Sequence, residues 1–144
     1  MTRRTVFALP LVPWLAHSAG PTVNVFKTAT CGCCGKWVEH LRANGFDVKV
    51  ETVQATAGYR QKYGVPDKLQ SCHTAVVAGY TLEGHVPARE ILRLLESGAK
   101  AKGLAVPGMP LGSPGMEGSR SDAYDVVLFY ADGRTSVYQS YPAR

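Results

Sequence analysis

The sequence predicts an α/β domain with helices packed against a central sheet, and three observations carry that reading. Short β-branched and aromatic runs alternate with helix-spaced apolar runs as far as Ser97. Gly, Pro and Asn fall between these runs, where turns belong. The chain has 144 residues and 45% hydrophobic content, enough for one domain with a real core.

Val23-Asn24-Val25-Phe26 reads as the first strand, and Thr28-Ala29-Thr30 lead out of it into a turn. From Gly35 to Asn44, Trp37, Val38 and Leu41 fall at helical spacing, with Asn44-Gly45 as the stop. Phe46 to Val53 alternates apolar and polar residues as a strand does, and Ala57 to Tyr63 reads as a second helix ended by Gly64-Val65-Pro66. Thr74 to Val77 and Tyr80 to Glu83 are strands around a turn at Gly79. Pro87 then introduces an amphipathic helix from Ala88 to Ser97. The order strand, helix, strand, helix, strand, strand, helix describes a three-layer unit of thioredoxin type.

Gly103 to Ser121 is crowded with Gly, Pro and Met, a composition that argues against a regular helix or a central strand. Loops of this length are usually functional or disordered. Asp125 to Tyr130 and Thr135 to Tyr138 flank Asp132-Gly133, a strong signal for a C-terminal β-hairpin. Tyr124, Tyr130, Tyr138 and Tyr141 fit a packed hairpin better than radical chemistry.

Residues 1–20 read as a signal segment preceding a single domain over 21–144. Arg3-Arg4 form a positive region, Thr5 to Ala16 are mostly apolar, and Ser18-Ala19-Gly20 are small. Pro10 and Pro13 interrupt the stretch, which is too short to span a bilayer, and no later segment is apolar for long enough. Trp14 and His17 belong to this leader. The net charge of +5 is modest, and no basic run has aromatics interleaved, so nucleic-acid binding has little support. Export would place four cysteines in an oxidising compartment, where two structural disulfides are the ordinary expectation. The adjacent Cys33-Cys34 and tight Cys31-x-Cys33 spacing suit distant staples poorly.

Those cysteines carry the chemistry. Cys31 and Cys34 form a Cys-x-x-Cys pair opening a helix, whose unpaired amides and dipole favour thiolate there. That placement serves disulfide exchange and metal binding equally. Cys33 separates the two, since a third sulfur at one turn could trap a dithiol in wrong bridges, whereas a metal cluster gains a donor. In a thioredoxin-type fold the loop before the third strand faces the first helix terminus, so Cys72 is expected beside the other three. Zinc sites usually draw on two separated Cys-x-x-Cys pairs, and the spacing departs from ferredoxin patterns. Crowded soft sulfurs best suit a polynuclear Cu(I) cluster. Met109 and Met116, among Gly and Pro, are candidate thioether donors, with Met116 expected to be the solvent-exposed one. His73, beside a candidate ligand, reads as a ligand or ligand-orienting imidazole. His85 reads first as a turn residue, His40 as a bystander and Trp37 as a core anchor.

Four segments then carry a family resemblance. They are Thr30-Cys31-Gly32-Cys33-Cys34-Gly35-Lys36-Trp37, Ser71-Cys72-His73-Thr74-Ala75-Val76-Val77, Glu83-Gly84-His85-Val86-Pro87-Ala88, and Val106-Pro107-Gly108-Met109-Pro110 with Ser113-Pro114-Gly115-Met116-Glu117. In this order, from about Val23 to Tyr138, the chain resembles the small predicted metal-binding proteins that include the CopG-type periplasmic proteins of bacterial copper-resistance systems. No motif position departs from the pattern. Only the amino-terminal segment, with its two prolines, is atypical.

The resemblance implies a thioredoxin-like domain holding copper through Cys31, Cys33, Cys34 and Cys72, as a multinuclear, chiefly Cu(I), cluster able to change oxidation state. It implies copper or silver tolerance by sequestration, redox conversion or delivery in the periplasm, with a copper chaperone or efflux component as partner. Redox conversion would make the protein an enzyme acting on copper; the other two roles would not. The competing reading is a thiol–disulfide oxidoreductase using Cys31 and Cys34.

Overall fold

The computed structural model describes residues 19–144, so the expected signal segment, with Trp14 and His17, lies almost wholly outside the described residues. The elements run β1 (Thr22–Lys27), α1 (Gly32–Ala43), β2 (Asp47–Thr52), α2 (Ala57–Lys62), a 3-10 turn (Asp67–Leu69), β3 (Thr74–Val77), β4 (Tyr80–Glu83), α3 (Ala88–Ser97), β5 (Gly103–Ala105), β6 (Tyr124–Phe129) and β7 (Thr135–Tyr141). The seven strands form one mixed sheet in the order β2-β1-β3-β4-β5-β6-β7. Pairing is parallel between β1 and β2 and between β4 and β5, each pair joined through a helix, and antiparallel elsewhere.

Strand alternation sorts side chains to two faces. Val23, Val25, Ala75, Val77, Leu82, Leu104, Val126 and Leu128 turn to one face, where Trp37, Val38 and Leu41 of α1 and Ile91 and Leu94 of α3 cover them. The opposite face carries Ala105 and Phe129 under Val65 and Leu69, while Phe26 stacks on Tyr59 and Tyr63 at centroid distances of 4.4 and 5.5 Å. Helices therefore lie on both faces, and the larger core is the one beneath α1 and α3.

The structure departs from expectation at two places. The first helix starts at Gly32 rather than Gly35, so Cys33 and Cys34 sit inside its first turn and Cys31 stands just before it. Gly103–Ala105, expected to be irregular, is an interior strand between β4 and β6. Gly103 is the reason: a Cβ there would lie 1.7 Å from the Thr81 carbonyl oxygen, so only glycine allows this approach to β4. The hairpin forms as expected, with Gly133 at φ +85° in its turn and Tyr124 stacked on Tyr141 at 4.9 Å.

Candidate metal centre

Three segments converge above the ends of β1 and β3. The α1 amino terminus brings Cys31, Cys33 and Cys34; the loop before β3 brings Cys72 and His73; the turn between β4 and α3 brings His85. The sulfurs of Cys31, Cys33, Cys34 and Cys72 all lie within 4.8 Å of one another, as do the donor atoms of Cys34, Cys72, His73 and His85. Cys34, His73 and His85 are buried, whereas Cys31, Cys33 and Cys72 are half-buried. Cys31 and Cys34 form a disulfide, leaving Cys33 and Cys72 as free thiols. Cys33 Sγ is 3.6 Å from Cys31 Sγ.

His73 stands beside the sulfurs, and His85 sits closer to them than a turn residue need be. His73 Nδ1 lies 3.2 Å from Cys34 Sγ and 3.3 Å from Cys72 Sγ, with its ring packed on Trp37 at 4.3 Å. His73 Nε2 has no hydrogen-bond partner, a costly condition for a buried nitrogen. Burial, reinforced by neighbouring His85, pushes the His73 pKa down to about 3, so the ring is neutral at pH 7. His85 occupies its turn as expected and also reaches the cluster. Its Nδ1 is 2.6 Å from the Pro114 carbonyl and its Nε2 is 3.1 Å from Cys72 Sγ. A carbonyl can only accept, so Nδ1 carries the proton and Nε2 turns a lone pair toward Cys72. That carbonyl-oriented imidazole is the arrangement found behind metal-ligating histidines. Burial lowers the His85 pKa too.

Burial is also the main force on Cys72, pushing its thiol up to about 11, with nearby Cys33 and Glu83 adding to the rise and the Ser71 hydrogen bond opposing it. Cys72 is therefore a neutral thiol at pH 7, and a metal taken up there must displace its proton. Soft sulfur with neutral imidazole is a donor set suited to Cu(I).

The Gly-Pro-Met loop is seated on the site. Gly115, at φ +89°, packs so tightly that an added Cβ would lie 2.9 Å from the Cys33 carbonyl and from the Trp37 amide nitrogen. Its amide donates to Glu117 at 2.9 Å. Met109 is the exposed methionine, at 44%, and Met116 is half-buried, the reverse of the expected exposures. Met116 closes a turn through its amide to Ser113 and its carbonyl from Gly112, both at 2.8 Å. That pairing with the loop's own backbone is what draws it inward.

Trp37 is a core anchor as expected, fully buried with its Nε1 donating to Val86 at 2.8 Å. His40 stands outside the donor group and caps α3, its Nε2 accepting from the Ala88 amide at 3.0 Å. Sequence reasoning missed Pro114 and Gly115 as elements of the site; a Pro-Gly pair signals a turn but not where the turn lands.

Fold and site together define a small α/β protein carrying a compact Cys/His group with soft-metal donor chemistry. A family model described as a protein of unknown function, DUF411, matches residues 69–116, the stretch holding Cys72, both buried histidines and the glycine loop. Two solved structures, copper resistance protein CopG in its form 2 and form 1, are each 48% identical to this chain with a TM-score of 0.81. Each match covers 85% of this chain and 98% or 99% of the solved one. Comparison with curated proteins gives no match. The chain belongs to the CopG family of copper resistance proteins.

Proposed function

We propose that this protein binds copper as its cargo through the reduced sulfurs of Cys31, Cys33, Cys34 and Cys72, taking up several Cu(I) ions in a sulfur-bridged cluster. The observation that carries the reading is the convergence of four sulfurs from two separate elements within 4.8 Å. In the disulfide form, Cys31 and Cys34 are not thiolates, so reduction precedes full loading. His73 and His85 supply or orient further donors, and Met109 and Met116 are the thioethers available from the covering loop. The thioredoxin-like frame accounts for the placement of Cys72 opposite the α1 terminus. Residues 1–20 serve as the export signal for the domain over 21–144, placing the work in the periplasm. There the protein protects against copper, or silver, by sequestration, redox conversion or delivery to a chaperone or efflux component. Among the described residues no helix is long and apolar enough to cross a membrane.

Anaerobic titration of the reduced protein with Cu(I), followed by elemental analysis and X-ray absorption, tests this. Several coppers per chain with sulfur-dominated scattering and a short copper–copper vector are expected. Equal copper retention by a Cys33→Ser, Cys72→Ser double variant would sink the proposal. The Cys31–Cys34 disulfide favours a second reading, thiol–disulfide exchange by that pair. Insulin reduction by metal-free protein would support it, and an inert metal-free protein would remove it.

A further inference from the structure

Behind the cysteine cluster, on the α2 face of the sheet, stands a buried ion pair that no metal reading uses. Glu83 on β4 is fully buried, and its Oε1 lies 2.9 Å from Arg60 Nε of α2. Oε1 also accepts the Ser71 amide at 2.7 Å, while Oε2 accepts the Thr74 hydroxyl at 2.6 Å. The Arg60 guanidinium donates further to the Ser71 carbonyl at 3.1 Å and to the Thr56 hydroxyl at 3.3 Å.

The targets of these bonds are what matters. Ser71 and Thr74 bracket Cys72 and His73, so one carboxylate holds the loop on both sides of the two residues that point at the cluster. Gly84, next to Glu83, adds an amide bond to the His73 carbonyl at 3.0 Å. His73 needs such restraint, because it is a buried imidazole whose Nε2 finds no partner in the protein. A buried ion pair is itself weak evidence for fold stability, because apolar residues often serve the fold equally well.

We propose that Arg60 and Glu83 form a positioning pair that clamps the 71–74 loop and holds Cys72 and His73 in ligating register before copper arrives. This rests on the copper reading for its consequence, though the clamp can be tested without metal.

The first arm measures alkylation of Cys72 by iodoacetamide in metal-free protein, resolved by mass spectrometry, with Cys33 in the same chain as internal reference. The Arg60→Met, Glu83→Leu double variant removes both charges together and so leaves no buried unpaired ion. Its Cys72 should react about tenfold faster with Cys33 unchanged, and Cu(I) affinity of the reduced protein should fall about tenfold or more, the loss typical when a group orienting a ligand is removed. Arg60→Lys, which keeps the ion pair but not the forked contact, should fall between the two proteins in both readouts. A double variant with wild-type Cys72 reactivity overturns the clamp. Should circular dichroism show that the double variant does not fold, Thr74→Val removes one arm alone and should still raise the Cys72 rate, and an unchanged rate overturns the proposal equally. A wild type that binds no copper overturns the copper reading instead, and the alkylation comparison alone then decides the clamp.

Discussion

Gly115 offers a sharp test of how the covering loop is seated. Alanine at this position meets two separate penalties. The backbone at φ +89° is left-handed, which costs an L-residue about 1–2 kcal/mol. The new Cβ would also lie 2.9 Å from the Cys33 carbonyl oxygen and the Trp37 amide nitrogen, both backbone atoms of α1 that cannot swing aside. Overpacking of this kind typically costs a further ~1–3 kcal/mol. Reduced freedom of the unfolded chain offsets about 0.4–1 kcal/mol, leaving a net loss of roughly 1–5 kcal/mol.

Two controls separate these contributions. Gly79 has nearly the same dihedral, φ +84°, with nothing within 4 Å of an added Cβ, so Gly79→Ala reads the backbone strain alone. Gly118 has neither strain nor neighbour, and its alanine variant should lie within about 0.5 kcal/mol of wild type. Urea unfolding of metal-free protein at pH 7 measures all three. If Gly115→Ala costs no more than Gly79→Ala, the loop does not rest on α1 and the reasoning fails. The same displacement would carry Pro114 away from His85, so Gly115→Ala should also weaken Cu(I) binding while Gly79→Ala does not.

Three further outcomes are expected. Tyr141→Phe deletes the 2.8 Å hydrogen bond to fully buried Glu90 and should destabilise the protein by about 1.5–3 kcal/mol in the same unfolding assay, as for other bonds to a charged group. Trp37→Phe leaves the Val86 carbonyl without its 2.8 Å donor and loosens the packing on His73, so a loss of about 2–4 kcal/mol should accompany weaker copper retention in a chelator competition. Acid should destabilise the metal-free protein through His73. Its folded pKa, about 3, lies below the unfolded value of 6.5, so the folded state binds fewer protons between the two. The stability contribution is present above pH 6.5 and is lost as pH falls toward 3, by at most about 5 kcal/mol at 1.36 kcal/mol per unit. A His73→Gln variant whose stability falls as steeply over that range as the wild type's would refute the assignment to His73.

Much of the frame was legible in advance. β3, β4 and α3 begin and end at the residues their patterns indicate, because short β-branched and apolar runs bounded by turn residues mark interior strands and 3.6-residue apolar spacing marks the buried face of a helix. The strand at Gly103–Ala105 was not legible, since Gly-Leu-Ala is too short to show a periodicity and its pairing depends on the close approach of Gly103 to Thr81. The four sulfurs could be listed from their residue types, and Cys72 could be placed beside the others once the element order was known. Arg60 gave no signal at all; it lies on a short helix whose contact with Glu83 exists only because α2 crosses behind β4. The exposures of Met109 and Met116 were likewise a matter of how one loop folds on itself.

The sequence alone determined the order of elements outside β5 and the kinds of donor side chain available, for both follow from side-chain type and local spacing. The tertiary structure alone decided that His85 turns toward the sulfurs and that Gly115 seats the covering loop. It also decided that one buried carboxylate grips both sides of Cys72 and His73. Those facts depend on contacts between segments tens of residues apart, whose distances and directions are set by packing and leave no trace in local pattern.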